Sequence, residues 1–325
     1  MVPGPQHHGA VRHGRAVAAL VAAGGVSVTL ARSTEAAGGR HDLTHVQFTD
    51  ALFGPDVASA ADAFVTWSLT APRPVVVTLH DVPDGDDETD RSARRRCAYG
   101  RVVGASDAVV VSTEHEASSA RRLGCPTPVV VPLPVEVLGP PGPAPAWAGR
   151  RTVGVLGFVY PGKGHAEAID AVARHAGAVA VVAVGAVSPG HGPLLRALRE
   201  QADGLGVELL VTGPLSDADL HAAALAVTVP LAAYSTTGAS ASLATWLACG
   251  RRPLAVPTPQ VRELALRWPD AIEVIRGRPG DAGAVDEAVA VALRDPHRTW
   301  LDGPPPSPDV VAAHLAVYRQ VLATW

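Results

Sequence analysis

Along the chain, short runs of β-branched and aliphatic residues alternate with longer stretches whose apolar positions recur at helical spacing. The runs Val26–Leu30, His45–Phe48, Val75–Leu79, Ala108–Val111 and Val129–Val131 predict strands buried on both faces. Between them, Val11–Ala23, Val57–Leu69, Arg91–Val103 and Glu114–Leu123 predict helices. Strand, helix and strand in succession imply a parallel sheet with helices on both faces. A doubly wound sheet should open with a strand, whereas this pattern opens at a helix. Either the first strand is missing or Met1 is not the true start.

The pattern then breaks. Leu138 to Arg150 reads LGPPGPAPAWAGR, whose four prolines and three glycines exclude a regular helix or a central strand. A second alternation follows. Its predicted strands are Thr152–Leu156, Ala178–Val184, Glu208–Val211, Ala226–Val229, Pro253–Val256 and Ile272–Ile275. Its predicted helices are His165–His175, Leu194–Gly204, Asp217–Ala223, Ser240–Cys249, Gln260–Arg267 and Ala284–Leu293. Ser216 and Asp219 have the spacing of a capping box. Ser307-Pro308 has the N-cap and N1 pattern before a last helix, Asp309–Thr324. The expected organisation is an N-terminal domain over residues 1–137, a linker over 138–150 and a second domain over 151–308.

Composition narrows the partners. The 325 residues suffice for two domains, and the 47% that are hydrophobic suffice for two cores. Lys plus Arg number 27 against 31 for Asp plus Glu, so no basic field for nucleic acid is expected. Cys97, Cys125 and Cys249 are widely spaced and form no CxxC pair, which suits small buried thiols in a reducing, cytoplasmic setting. No apolar run reaches the roughly 18 residues of a spanning helix. Membrane contact would be peripheral, at the run of Arg91, Arg94, Arg95 and Arg96, for which a solvated helix face is the competing reading. Asp217-Ala-Asp219 reads as first-turn helix acids and no His/Cys cluster of ligand spacing is present, so no metal and no cofactor are expected.

Two glycine-bearing segments could carry chemistry. Gly157-Phe-Val-Tyr-Pro-Gly162-Lys163-Gly164 follows a strand and opens a helix, whose free N–H groups and positive dipole end suit phosphate. It nearly fits a P-loop, but Gly164 stands where the magnesium-holding hydroxyl should be. A tight turn with a solvated lysine is the plainer alternative. The second segment, Thr237-Gly-Ala-Ser-Ala-Ser-Leu-Ala-Thr245-Trp-Leu-Ala-Cys-Gly250, again opens a helix from a small-residue loop. Alone it reads equally as a capped helix packed close to a sheet.

Together, in this order, the two segments resemble those of glycosyltransferase family 4, the retaining GT-B enzymes. VTGPLSDADLHAAALAVTVPL, ATWLACGRRPLAV and AAHLAVYRQVL resemble the family's C-terminal elements. HHGAVRHGRAVAALVAAGGVSVTL, VVVTLHDVP and VVVSTEHEASSARRLG resemble its N-terminal ones. The resemblance implies two Rossmann-like parallel-sheet domains facing across a cleft, with the closing helix at 309–325 packed back on the first. It implies that Lys163 neutralises a leaving diphosphate, with Gly157 beside it, and that Gly9 brings backbone close to the same group. His80 would face the donor sugar. Gly213, Pro214 and Leu215 would line the nucleobase, and Thr237, Gly238, Ala239 and Ser240 would hold sugar and phosphate through backbone amides.

Three positions depart from the family pattern. Phe158 stands where an arginine is usual, and Thr237 and Thr245 stand where two glutamates are usual. Threonine still hydrogen-bonds, but it accepts more weakly than a carboxylate. The implied activity is metal-independent transfer of a sugar from a nucleoside-diphosphate sugar to an unidentified acceptor hydroxyl, with retention. A non-catalytic auxiliary subunit and a GT-B sugar-nucleotide epimerase are the alternatives. A Rossmann oxidoreductase is disfavoured because no G-x-G-x-x-G follows a strand.

Overall fold

The computed structural model describes residue 4 and residues 8–31, 41–84, 89–136, 138–175, 177–234, 238–278 and 280–325. The chain divides into two compact units, one of Met1–Pro134 with Pro308–Trp325, the other of Val135–Ser307.

The first unit runs α1 (Gly9–Ala23), β1 (Thr44–Phe48), α2 (Asp50–Phe53), α3 (Val57–Ser68), β2 (Val75–Leu79), α4 (Asp90–Gly104), β3 (Ala108–Val111), α5 (Glu114–Arg122) and β4 (Val129–Val130). The strands pair in parallel in the order β1-β2-β3-β4. Alternation along each strand sends residues to opposite faces. Val46, Phe48, Val75, Val77 and Leu79 pack with Phe64 and Tyr99 on one side. Val76 and Val110 pack with Val17 and Val21 of α1 on the other. Side-chain caps start the helices: Asp56 accepts from the amides of Ala58 and Ser59, and Thr113 from that of Glu116.

Val26–Leu30 is not a strand. Its alternating Val26, Val28 and Leu30 have β character but are more than a third exposed, and none of them pairs with β1. Strand propensity expresses itself only against a neighbour.

The second unit runs β5 (Thr152–Leu156), α6 (His165–Ala173), β6 (Ala180–Val184), α7 (Gly192–Gly204), β7 (Leu209–Val211), α8 (Asp217–Ala226), β8 (Val229–Ala232), α9 (Ala241–Ala248), β9 (Leu254–Ala255), α10 (Pro259–Arg267), β10 (Glu273–Val274) and α11 (Ala282–Arg294). All strand pairs are parallel, in the order β10-β9-β8-β5-β6-β7. Counted from β5 as the first strand, this is the 3-2-1-4-5-6 order of a dinucleotide-binding sheet.

The strand expected at Ala226–Val229 lies later, because α8 continues to Ala226 and Val227 ends it in an extended conformation. Pro230 is tolerated inside β8 because pairing with β9 begins only at Leu231. Part of the proline-rich stretch is packed: Leu138 and Trp147 lie against the core around Trp246 and Val227. His221 Nδ1 lies 2.7 Å from the carbonyl of Gly139.

Arg251 is fully buried in this unit. Its guanidinium donates to the carbonyls of Ala224, Val227, Thr228 and Thr299 and stacks on Trp300.

The chain closes with α12 (Val310–Ala323), whose Val310, Val317 and Val321 join the α1 side of the first unit's core. Asp309, rather than Ser307, caps this helix by accepting from the amide of Ala312. Ser307 instead accepts from the amide of Val135, so its hydroxyl serves the other unit.

Candidate active site

Ligands of open α/β sheets sit at the carboxyl ends of strands where the strand order reverses. In the second unit that point lies between β5 and β8, whose following loops lead into α6 and α9. Gly157 ends β5 with φ +116°. A Cβ there would stand 2.8 Å from the Ser242 hydroxyl and 3.0 Å from Lys163 Cε, so glycine is required both by backbone angle and by space. Gly162 and Gly164 also have positive φ, at +77° and +96°. Gly164 precedes α6 and lies against the Ala233 carbonyl of the other loop, 3.0 Å from where its Cβ would be.

This folding delivers Lys163 to the junction. Its side chain is buried, and Nζ donates to Ser242 Oγ at 2.9 Å. Nζ also stands 3.9 Å above the Tyr234 ring and 5.8 Å from that of Tyr160. Among the described residues no carboxylate forms an ion pair with it. Burial lowers its pKa to about 7. A buried cation held only by a hydroxyl and aromatic faces is incompletely compensated.

The surroundings are similarly under-satisfied. His165, the first residue of α6, is buried, with no hydrogen-bond partner among the described residues for either ring nitrogen, and burial, then the Lys163 charge, lowers it to about 4. Ser240 precedes α9 without capping it, and its buried hydroxyl has no partner among the described residues. Tyr234 is buried, its phenol raised to about 12 by burial, with the nearby hydroxyls of Ser240 and Ser242 acting in the opposite direction. Its hydroxyl meets neither in hydrogen-bonding geometry. Among the described residues neither α6 nor α9 has a side-chain N-cap, and at the start of α9 the Leu243 amide donates to the Ser240 carbonyl. The chemical complement of two helix N-termini and one buried ammonium is an anion with more than one charged oxygen.

The expected site residues distribute as follows. Gly157 and Lys163 are in contact, and Ser240 opens the adjoining helix. Gly238 and Ala239 lie half-buried in the loop before it, while Thr237 lies outside the described residues. The Thr245 hydroxyl donates to the Ala241 carbonyl one turn back. Gly213, with φ +74°, Pro214 and Leu215 follow β7, two strands from β5. They are linked to the junction through Gly185: the Thr212 hydroxyl accepts from the Gly185 amide, and Gly185 is stacked on the Gly157 carbonyl. Leu215 packs against the Leu156–Trp246 core. Phe158 is half-buried beside Gly157.

Sequence reasoning missed Ser242, Tyr234 and His165. Each lies within a few residues of an identified glycine loop, and a buried-site polar residue beside such a loop was the available signal.

His80 and Gly9 belong to the first unit. His80 follows β2, and Asp81 after it is the one non-glycine residue with positive φ among those described, at +53°. Strain of that kind concentrates at functional sites. His80 Nε2 lies 2.8 Å from Gln47 Oε1, and its ring meets that of His13 edge-on at 5.4 Å. Burial lowers His80 to about 4 and His13 to about 3. Gly9 starts α1 under a His8 cap, and nothing lies within 4 Å of where its Cβ would stand. The arginines of α4 are mostly engaged locally: Arg95 with Asp50 and the Asp81 carbonyl, Arg96 with Ser92 and Arg101 with Asp62. No helix is long and apolar enough to cross a membrane, and no cluster of three or more His, Cys, Asp or Glu could hold a metal, among the described residues.

No protein-family profile matches the chain, and no curated protein sequence matches it. Solved structures do. HepE from Anabaena, in complex with UDP and glucose, aligns with a TM-score of 0.61 at 17% identity over 82% of this chain and 73% of its own. Sucrose-phosphate synthase from Thermosynechococcus elongatus aligns at 0.66 and 14% identity over 88% and 75%. The UDP-forming α,α-trehalose-phosphate synthase from Burkholderia vietnamiensis aligns at 0.58 and 14% identity over 87% and 72%. At such identities the likeness is one of fold, and the fold is that of the GT-B glycosyltransferases.

Proposed function

We propose that the protein transfers a sugar from a nucleoside-diphosphate sugar to an acceptor hydroxyl, with retention, as a member of the GT-B group akin to family 4. The observation that carries this reading is Lys163, an ammonium buried without a carboxylate partner among the described residues, at the strand-order reversal and between two uncapped helix N-termini. The diphosphate of a donor supplies the missing negative charge. As the glycosidic bond breaks, charge grows on the departing phosphate oxygens, where Lys163 and the helix amides bind it more strongly than in the ground state. The departing oxygen then takes the acceptor's proton, so no side-chain base is required. This chemistry needs no divalent cation, and activity should survive EDTA.

UDP is the first nucleotide to try, since HepE binds UDP and glucose and the Burkholderia synthase is UDP-forming. The test is thermal shift with UDP, GDP and ADP and their sugar conjugates. A raised midpoint with one nucleotide, abolished by Lys163→Ala, supports the reading. No shift with any of them overturns it.

A second reading, a non-catalytic binding subunit, draws support from Thr245, whose hydroxyl is already engaged by Ala241. Nucleotide binding without turnover on any acceptor would favour it.

A further inference from the structure

Buried parallel strands are normally apolar throughout. In the first unit one face breaks this rule in a continuous line. Gln47 is 3% exposed and Thr78 1% exposed, and they are register partners across β1 and β2. His45 precedes Gln47 by two residues and His80 follows Thr78 by two, so all four side chains share the face turned toward α1 and α12.

They form one hydrogen-bonded chain. Tyr318 of α12 and His45 Nδ1 are 2.7 Å apart, and His45 Nε2 and the Thr78 hydroxyl are 2.7 Å apart. Gln47 Nε2 approaches His45 Nε2 at 3.5 Å, and Gln47 Oε1 meets His80 Nε2 at 2.8 Å. An amide oxygen can only accept, so the His80 nitrogen facing it carries the proton. Among the described residues the titratable groups around the His80 ring are His8, His13 and His45, and burial reinforced by His8 disfavours a second proton on it.

We propose that Gln47 is a positioning residue that holds His80 as the Nε2–H tautomer and leaves Nδ1 as an acceptor for substrate. This rests on the reading that His80 takes part in the transfer. A buried glutamine has no packing advantage over leucine at a strand position. Its amide acts here as a spacer of fixed polarity, transmitting the arrangement set at α12 to the ring at the end of β2.

The test uses the full chain with ¹⁵N-labelled histidine. Long-range ¹H–¹⁵N spectra distinguish the two neutral tautomers, and the spectrum of His80→Gln assigns the His80 signals. The wild type should show His80 protonated at Nε2. Gln47→Leu should scramble the tautomers and lower kcat about tenfold with little change in donor KM. Gln47→Glu keeps an acceptor oxygen and should retain the Nε2–H signature above the pH at which its carboxylate drives the ring to imidazolium. An Nδ1–H tautomer in the wild type overturns the proposal, as does Gln47→Glu losing the signature or Gln47→Leu leaving it intact. The spectra need no substrate. The predicted tautomer in a chain that transfers no sugar would sink the functional reading and leave the Gln47–His80 pairing standing.

Discussion

The two units solve the same problem of polar groups inside a parallel sheet in opposite ways. In the first, Tyr318, His45, Thr78, Gln47 and His80 are joined in one hydrogen-bonded series that ends at the His80 ring. In the second, among the described residues, the Lys163 ammonium has a single hydrogen bond, and His165 and Ser240 have buried side-chain atoms with none. A satisfied network holds a geometry, whereas an unsatisfied one lacks a partner that a ligand can supply.

Removing the lysine should affect activity most. Lys163→Ala should lower turnover by about 100-fold or more. The thermal midpoint should hold or rise, because an incompletely compensated buried cation is lost. Unchanged turnover in steady-state assays would undo the contrast.

Acidity probes both units. Lys163 falls from 10.5 to about 7 on folding, so between those values the unfolded chain binds more protons and stability rises with pH. Nucleotide affinity should run the other way, weakening by up to about tenfold per pH unit above 7, since the anion binds the protonated amine. His80 and His13 fall from 6.5 to about 4 and about 3, so stability is lost as pH drops below 6.5. His165 adds to this acid window from the second unit. Midpoints and nucleotide titrations from pH 4 to 10 should show stability and affinity diverging above neutrality. Parallel curves there would mean that Lys163 does not meet the anion.

Gly157→Ala should cost about 1–3 kcal/mol, from positive φ and from the crowding of Lys163, and should weaken donor binding as well. Unfolding and binding titrations measure the two effects, and the lysine contact predicts that binding suffers even where folding is rescued at low temperature. Ser242→Ala should have the smallest effect, about 1 kcal/mol or a fivefold loss of nucleotide affinity, since one neutral hydrogen bond to Lys163 disappears.

Much of this was legible in the sequence. β2, β3 and β5 match their predicted limits because Val-rich runs bounded by turn residues leave little choice. The Gly157–Gly164 loop was found because strand, glycines and lysine occur in a single stretch. The partners of Lys163 were not, because Ser242 and Tyr234 come from a segment about 80 residues later and only the sheet order brings them together. The polar series of the first unit was hidden for the same reason: His45, Thr78 and Tyr318 are ordinary residues until β1, β2 and α12 are laid side by side. The false strand at Val26–Leu30 shows the converse error, in which local propensity is read without asking what would pair with it.

The buried Arg251 limits how this chain can be cut. Its guanidinium is closed in by carbonyls contributed at Ala224, Val227, Thr228 and, from beyond α11, Thr299, with Trp300 as a lid. An excised second unit that stopped at Arg294 would keep the cation but lose part of its cage. Dissection of the protein into separately expressed halves therefore has to carry the second half through Trp300, and a protease nick between Asp295 and Trp300 should loosen the cage around Arg251, about 45 residues earlier in the chain.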